Sequence, residues 1–257
     1  MRPEIKEVNI WQSKLEGCSP EEILLWAWRN FKQRVALASS LGLEDQVLTD
    51  MIAHSAPRVP IFTLDTGRLF QESYDLLERT ESRYGLKIRI CQPLGSEVEE
   101  MVNQHGVNLF RRSVELRKHC CLVRKVRPLK QALIGMEAWI CGLRREQASS
   151  RTKLQVVEWD ETNGLVKISP LAHWSDADVK SYVHTRHVPY NPLHDQGFSS
   201  IGCACCTRAI QEGEDVRAGR WWWESSEHKE CGLHWNRGRL VAQIPTSRVV
   251  GEGGAPS

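Results

Sequence analysis

The chain has 257 residues, of which 41% are hydrophobic and 26% charged, with a formal net charge of +2. This is the make-up of one globular domain with a sizeable core, with no charge excess that would suggest a nucleic-acid partner. No apolar run approaches about 18 residues and the start, MRPEIKEVNIWQSKLEG, lacks an apolar stretch, so neither a membrane span nor a secretory signal is expected, and the cytoplasm is the expected compartment.

In chain order, Ser19-Pro20-Glu21-Glu22 reads as an N-cap, a first-turn proline and a capping-box glutamate. Ile23, Leu24, Ala27 and Phe31 then mark one helical face. Arg34 to Ser40 is a short apolar run, predicted as a buried strand, and Val47, Leu48, Met51 and Ile52 belong to the helix after it. Val59 to Thr66 predicts the next strand, Leu69 to Tyr84 a helix stopped by Gly85, and Leu86 to Ile90 a third strand. Helices are expected from about Arg111 and from about Val123, then a strand from Ala138 to Gly142. Ser175 with Asp178 caps a further helix through Val179 and Tyr182. After Pro189 the pattern is irregular. Alternating strand and helix predicts an α/β domain with a mostly parallel sheet flanked by helices. One domain is expected over 1–257, with 208–257 a mobile C-terminal tail.

Nine cysteines is a high number for a chain expected in a reducing compartment. Cys120 and Cys121 are adjacent, and Cys203 and Cys206 form a CxxC. Four soft thiolates suit zinc or an iron–sulfur cluster, and softness alone does not choose between them. Adjacent ligands are awkward for one ion, which argues for a cluster. Buried, inert thiols are the plain alternative, and for Cys18, Cys91 and Cys141 the better one. Cys205 lies inside the CxxC and is expected to point into the protein or at another part of the surrounding shell.

Ser39, Ser40, Leu41 and Gly42 sit between a predicted strand and a predicted helix, where a backbone can approach an anion. The run lacks the GxxxxGK[ST] pattern of a triphosphate loop. Lys125, Arg127, Arg144, Arg145, Arg151, Arg208, Arg217 and Arg220 recur at turns, and guanidinium forks match phosphate and sulfate oxygens. Cys231 stands apart near the end of the chain, between His228, Lys229 and His234, which favour a thiolate, and Glu227 and Glu230, which oppose one.

Together, the stretches SSLGLEDQVL, FTLDTGRLFQESYDL, RKHCCLVRKVRPL, WICGLRREQASSR, VPYNPLHDQGFSSIGCACCTRAI, RAGRWWWE and KECGLH resemble the adenylyl-sulfate and phosphoadenylyl-sulfate reductase family, specifically its iron–sulfur branch. The resemblance runs from about Val35 to His234. It implies a fold of the adenine-nucleotide hydrolase type, with Ser39, Ser40 and Gly42 in a modified pyrophosphate loop. It implies Cys120, Cys121, Cys203 and Cys206 as ligands of one [4Fe–4S] cluster per chain, and Cys231 as the nucleophile. Lys125 would lie between cluster and substrate, and Arg151, Arg217 and Arg220 would hold the phosphosulfate. The implied reaction is reduction of adenylyl sulfate to sulfite and AMP through a cysteine S-sulfonate, with thioredoxin as reductant, in assimilatory sulfate reduction; family members are often homo-oligomers. Three positions depart from the family pattern: His119 and Cys205 stand where prolines are usual, and Leu41 where an aromatic is frequent. A reductase of the 3′-phosphorylated substrate is the near alternative. A non-catalytic, zinc-stapled nucleotide-binding module is the distant one.

Overall fold

In the computed structural model, which describes residues 5–55, 58–147 and 151–224, the chain winds around a single sheet. Helices α1 (Ile5–Leu15) and α2 (Pro20–Phe31) precede β1 (Val35–Ser39). Then come α3 (Leu43–Ser55), β2 (Ile61–Leu64), α4 (Gln71–Tyr84), β3 (Ile88–Cys91), α5 (Gly95–His105), α6 (Val114–Cys121), α7 (Arg127–Ala132) and β4 (Ala138–Ile140). β5 (Val157–Asp160), β6 (Leu165–Ile168) and α8 (Asp176–Arg186) complete the regular elements among the described residues.

The sheet has six strands in the order β3-β2-β1-β4-β6-β5. All neighbours are parallel except β5 and β6, which pair antiparallel. The central strands are buried on both faces, as parallel strands sandwiched between helices must be. The expected α/β fold class is the one observed. β1 and β4 are neighbours, yet the chain leaves β1 toward β2 on the other side. Their carboxyl ends therefore flank a topological switch point, where open α/β sheets bind ligands.

Local sequence explains the element ends. Ser19 and Glu22 form the capping box of α2, and Ser175 and Asp178 that of α8. Gly85 ends α4 at φ +61°, a left-handed conformation that suits glycine. Three elements have no counterpart in the sequence reading. α5 is one. The β5–β6 hairpin is another, although its Asn163-Gly164 turn is a strong hairpin signal. The third, α1, covers the antiparallel edge: Gln12 Oε1 accepts the Val157 N–H at 2.8 Å, and Trp11 packs edge-on against Trp26 and Phe31.

Candidate functional site

The site has two parts, both built at the carboxyl ends of the strands. The first is the switch point itself. After β1 the chain turns sharply, and Leu41 takes φ +62°. Ser39 Oγ accepts the Leu41 N–H at 3.2 Å, and Ser40 Oγ accepts that of Gly42 at 3.4 Å. Across the crevice, Gly142 follows β4. Asp45, in the first turn of α3, ties the two loops together. Its Oδ2 accepts the Ser40 N–H at 2.7 Å and the Ser40 hydroxyl at 2.6 Å, while its Oδ1 accepts the Gly142 N–H at 3.0 Å. Gly142 has no room for a side chain: a Cβ there would stand 2.5 Å from Asp45 Oδ1. Burial pushes the Asp45 carboxyl up to about 6, against the hydrogen bonds from Ser40 and Gly142.

Arg151 reaches this crevice through Gln147, whose Oε1 it hydrogen-bonds. Gln147 Nε2 in turn donates to Glu44 at 2.9 Å and, more weakly, to the Gly142 carbonyl at 3.4 Å. Arg144 is buried beside them, paired with Glu44 at 2.8 Å and Asp176 at 3.3 Å. Ser39, Ser40, Gly42 and Arg151 are thus brought to one place.

The second part is a cavity of ≈ 20 Å³ lined by Cys120, Cys121, Cys203, Cys205 and Cys206. Two adjacent cysteines on an α-helix point about 100° apart. Here the chain widens into a π-helical turn, Leu122–Val126, directly after Cys121, and runs on into α7. The two helices expected from Arg111 and Val123 are therefore one interrupted helix from Val114 to Ala132, preceded by a short 3₁₀ turn at Leu109–Arg111. Such π turns recur at functional sites because they re-aim side chains without ending the helix. Opposite, a 3₁₀ turn at Ala204–Cys206 presents the CxxC.

The loop after β2 packs against the cysteine cavity. Thr66 Oγ1 lies 3.2 Å from Cys203 Sγ, and the Thr66 carbonyl accepts Arg124 Nη1 at 2.7 Å. The Arg68 carbonyl accepts the Ala204 N–H at 2.8 Å, and its guanidinium lies 3.6 Å from Cys205 Sγ and 5.1 Å from the Phe110 ring centroid. Asp65 holds that loop by accepting from Gly67 N, Tyr74 and Gln92. Composition and spacing gave no role to Asp45, Asp65, Thr66, Arg68 or Arg124. The only prior signal for them was that they lie inside the quoted stretches.

Among the described residues, Arg68, Arg117, Arg124, Lys125 and Arg220 line the cavity and no carboxylate does. That field favours thiolates and anions. Burial raises the Cys120 thiol, and Arg124 opposes the rise. Cys205 is the acidic member of the Cys205–Cys206 pair: the hydrogen bond to Cys206 is the largest cause and Arg68 assists, bringing it down to about 6, while Cys206 is pushed up. The Cys205 sulfur thus faces the same cavity as the CxxC, 3.7 Å from Cys206 Sγ. His119 lies outside that lining, edge-on to His105, and burial lowers its pKa. Among the described residues, no three His, Cys, Asp or Glu side chains converge on a single ion position. The thiols surround a volume, not a point.

Arg220 is buried, with its guanidinium against Gly202, where a Cβ would meet it at 2.5 Å. Arg217 is half-buried in the same segment, and its N–H donates to Asp215 at 2.8 Å. Residues 208–224, the head of the expected tail, are packed onto the cysteine loop: Thr207 bridges Arg220, and the Trp221 N–H donates to the Cys206 carbonyl at 3.1 Å. Cys231 lies outside the described residues.

Residues 34–209 match the family described as the phosphoadenosine phosphosulfate reductase domain. The chain belongs to this family. It is 52% identical over 200 residues, 78% of either chain, to a protein of Allochromatium vinosum named adenosine 5′-phosphosulfate reductase. A similar solved structure is that of phosphoadenylyl-sulfate reductase from Candida auris in a phosphate complex, with TM-score 0.70 and 32% identity, covering 79% of this chain and 97% of that one. FMN adenylyltransferase from Candida glabrata, with bound FMN and an ATP analogue, shares the fold alone at TM-score 0.51 and 17% identity, over 72% of this chain and 60% of that one. The described residues thus hold a crevice at the switch point and a cationic, cysteine-lined cavity.

Proposed function

We propose that this chain is an adenylyl-sulfate reductase, converting adenylyl sulfate to sulfite and AMP in the cytoplasm, with thioredoxin as reductant. The observation that carries the reading is the cavity lined by five thiols and five cations, in a fold whose sheet has its switch point at the carboxyl ends of β1 and β4. The names of relatives such as the Allochromatium vinosum protein support it. The crevice receives the adenylyl moiety, with Ser39, Ser40, Gly42 and Arg151 toward its phosphate. Lys125, Arg217 and Arg220 hold the sulfate end, screening its charge and that of the departing phosphate.

The Cys231 thiolate attacks the sulfur of the bound sulfonucleotide. A Cys–S–sulfonate bond forms as the bond from sulfur to the phosphate oxygen breaks, and AMP leaves with the electron pair. A thioredoxin thiolate then attacks Cys231 Sγ and expels sulfite. Its second thiol resolves the mixed disulfide, so thioredoxin supplies both electrons.

Cys120, Cys121, Cys203 and Cys206 would hold a [4Fe–4S] cluster, one per chain. The donor chemistry fits: soft thiols around a volume, ringed by cations that offset thiolate charge. When bound, the cluster supplies a charged, polarisable neighbour to the sulfate site.

The test mixes enzyme with adenylyl sulfate in the absence of thioredoxin, followed by intact mass and peptide mapping. A stoichiometric gain of about 80 Da, one SO₃, on Cys231 is expected. Cys231→Ser should release almost no sulfite. An adduct on another cysteine, or rapid turnover by the Ser variant, would sink the reading. A higher kcat/KM for the 3′-phosphorylated substrate would reassign the substrate only.

A further inference from the structure

The cavity has one wall that the proposed chemistry does not use. Arg117, on α6, has a fully buried side chain, and that of Glu224 is 4% exposed. They form a bidentate pair: Arg117 Nε donates to Glu224 Oε1 at 3.0 Å, and Nη2 to Oε2 at 2.7 Å. The same guanidinium hydrogen-bonds Cys121 and lies 4.5 Å from the centroid of the Trp221 ring. Arg220 lies against that ring at 4.7 Å. Trp221 takes φ +42°, a strained conformation for a bulky residue that persists only where its surroundings over-determine it. The Glu224 N–H, donated to the Trp221 carbonyl at 2.8 Å, closes the turn.

We propose that the Arg117–Glu224 pair is a positioning device for the reaction, fixing the root of the segment that carries Cys231 against the cysteine cavity. This rests on the assignment of Cys231 as the nucleophile. A buried ion pair is a weak stabiliser compared with apolar packing, so its value here lies in specifying geometry. The chemistry is right for that: a guanidinium fork accepts a carboxylate in one plane and one orientation.

The reach of the chain gives the effect its size. Cys231 is seven residues beyond Glu224, so its Cα lies within about 25 Å of that root. With the pair broken, the next fixed point is Trp221, buried and bonded to the Cys206 carbonyl, ten residues from Cys231. The effective concentration of the thiolate at the sulfate, which falls as about the −3/2 power of tether length, then drops by up to about twofold. Arg217 and Arg220 sit in the same segment, so the pair also keeps the proposed sulfate ligands in register with the nucleophile.

The test uses Glu224→Gln, which keeps size but removes the charge, and Arg117→Lys, which keeps the charge but loses the fork. Two readouts are taken on the holoenzyme: hydrogen exchange at 217–224, and the single-turnover rate of adduct formation on Cys231. Glu224→Gln should exchange faster at 221–224 and form the adduct about twofold more slowly, with iron content retained. Arg117→Lys should fall between it and the parent. Unchanged exchange or an unchanged adduct rate in Glu224→Gln overturns the anchor. Absence of any Cys231 adduct in the parent enzyme overturns the proposed reaction itself, and the anchor's role with it.

Discussion

Asp45 shows how much one buried carboxylate can organise. It satisfies donors from two loops that are 102 residues apart in sequence, Ser40 and Gly142, and it does so in the crevice where a ligand would enter. Its carboxyl is pushed up to about 6, mainly by burial, so the folded protein binds a proton there more tightly than the unfolded chain. The sign follows: this group favours the folded state most below about pH 4, and that contribution is lost as pH rises through about 6. Asp45→Asn should remove the dependence. The stability difference between parent and variant should change by up to about 3 kcal/mol between pH 4 and 7, read from urea midpoints at each pH. A constant difference across that range would show that Asp45 does not titrate there. Gly202 makes a steric case at the other half of the site. A methyl group at Gly202 meets the Arg220 guanidinium at 2.5–2.9 Å, so Gly202→Ala must displace it. We expect kcat/KM for adenylyl sulfate to fall by about tenfold or more, as for loss of a charged hydrogen-bond donor, with iron content unchanged. Parent-like kinetics would remove Arg220 from the substrate site.

Among the elements, those with strong local signals form as the sequence predicts. The capping box at Ser19 is one: its hydroxyl accepts the Glu22 N–H at 3.3 Å, and the Glu22 carboxylate accepts the Ser19 N–H at 2.7 Å. Ser19→Ala should cost about 1 kcal/mol of stability, seen as a lower denaturation midpoint, and leave catalytic constants unchanged because the Ser19 cap bonds reach only Glu22. The helix through Cys120 and Cys121 is the contrasting case. Its apolar and charged residues predict helix on both sides of the cysteines, and that is correct. The widened turn that follows them carries no compositional mark; from it Arg124 reaches the Thr66 carbonyl on the loop after β2. α1 is similar, since its few apolar residues acquire a purpose only against β5 and α2.

At the scale of the molecule, the cysteine cavity is assembled from three distant segments, around 66–68, 110–125 and 203–221. A cluster held there would clasp them together, so its loss should be felt as stability as well as chemistry. Cys206→Ala is expected to lose most of about four irons per chain and to lower the Tm, whereas Cys205→Ala should keep most of its iron. Iron and sulfide assays with thermal scans check both. Equal iron loss would make Cys205 a ligand, which its place in the same lining allows.

The sequence by itself determined the strand–helix alternation, the caps and the spacing of the cysteines, because each depends on residues within a few positions of one another. It also carried the family, through motifs spread along the chain. Tertiary structure alone decided which of those motifs share a site. The strand order, with β4 inserted beside β1, brings Ser40 to Gly142; the return of residues 203–224 brings Glu224 to Arg117 and Cys203 to Thr66. The physical reason is that a buried polar group specifies its need for a partner but not the partner's position in the chain. That position is set by topology and packing, which sum weak preferences over the whole molecule.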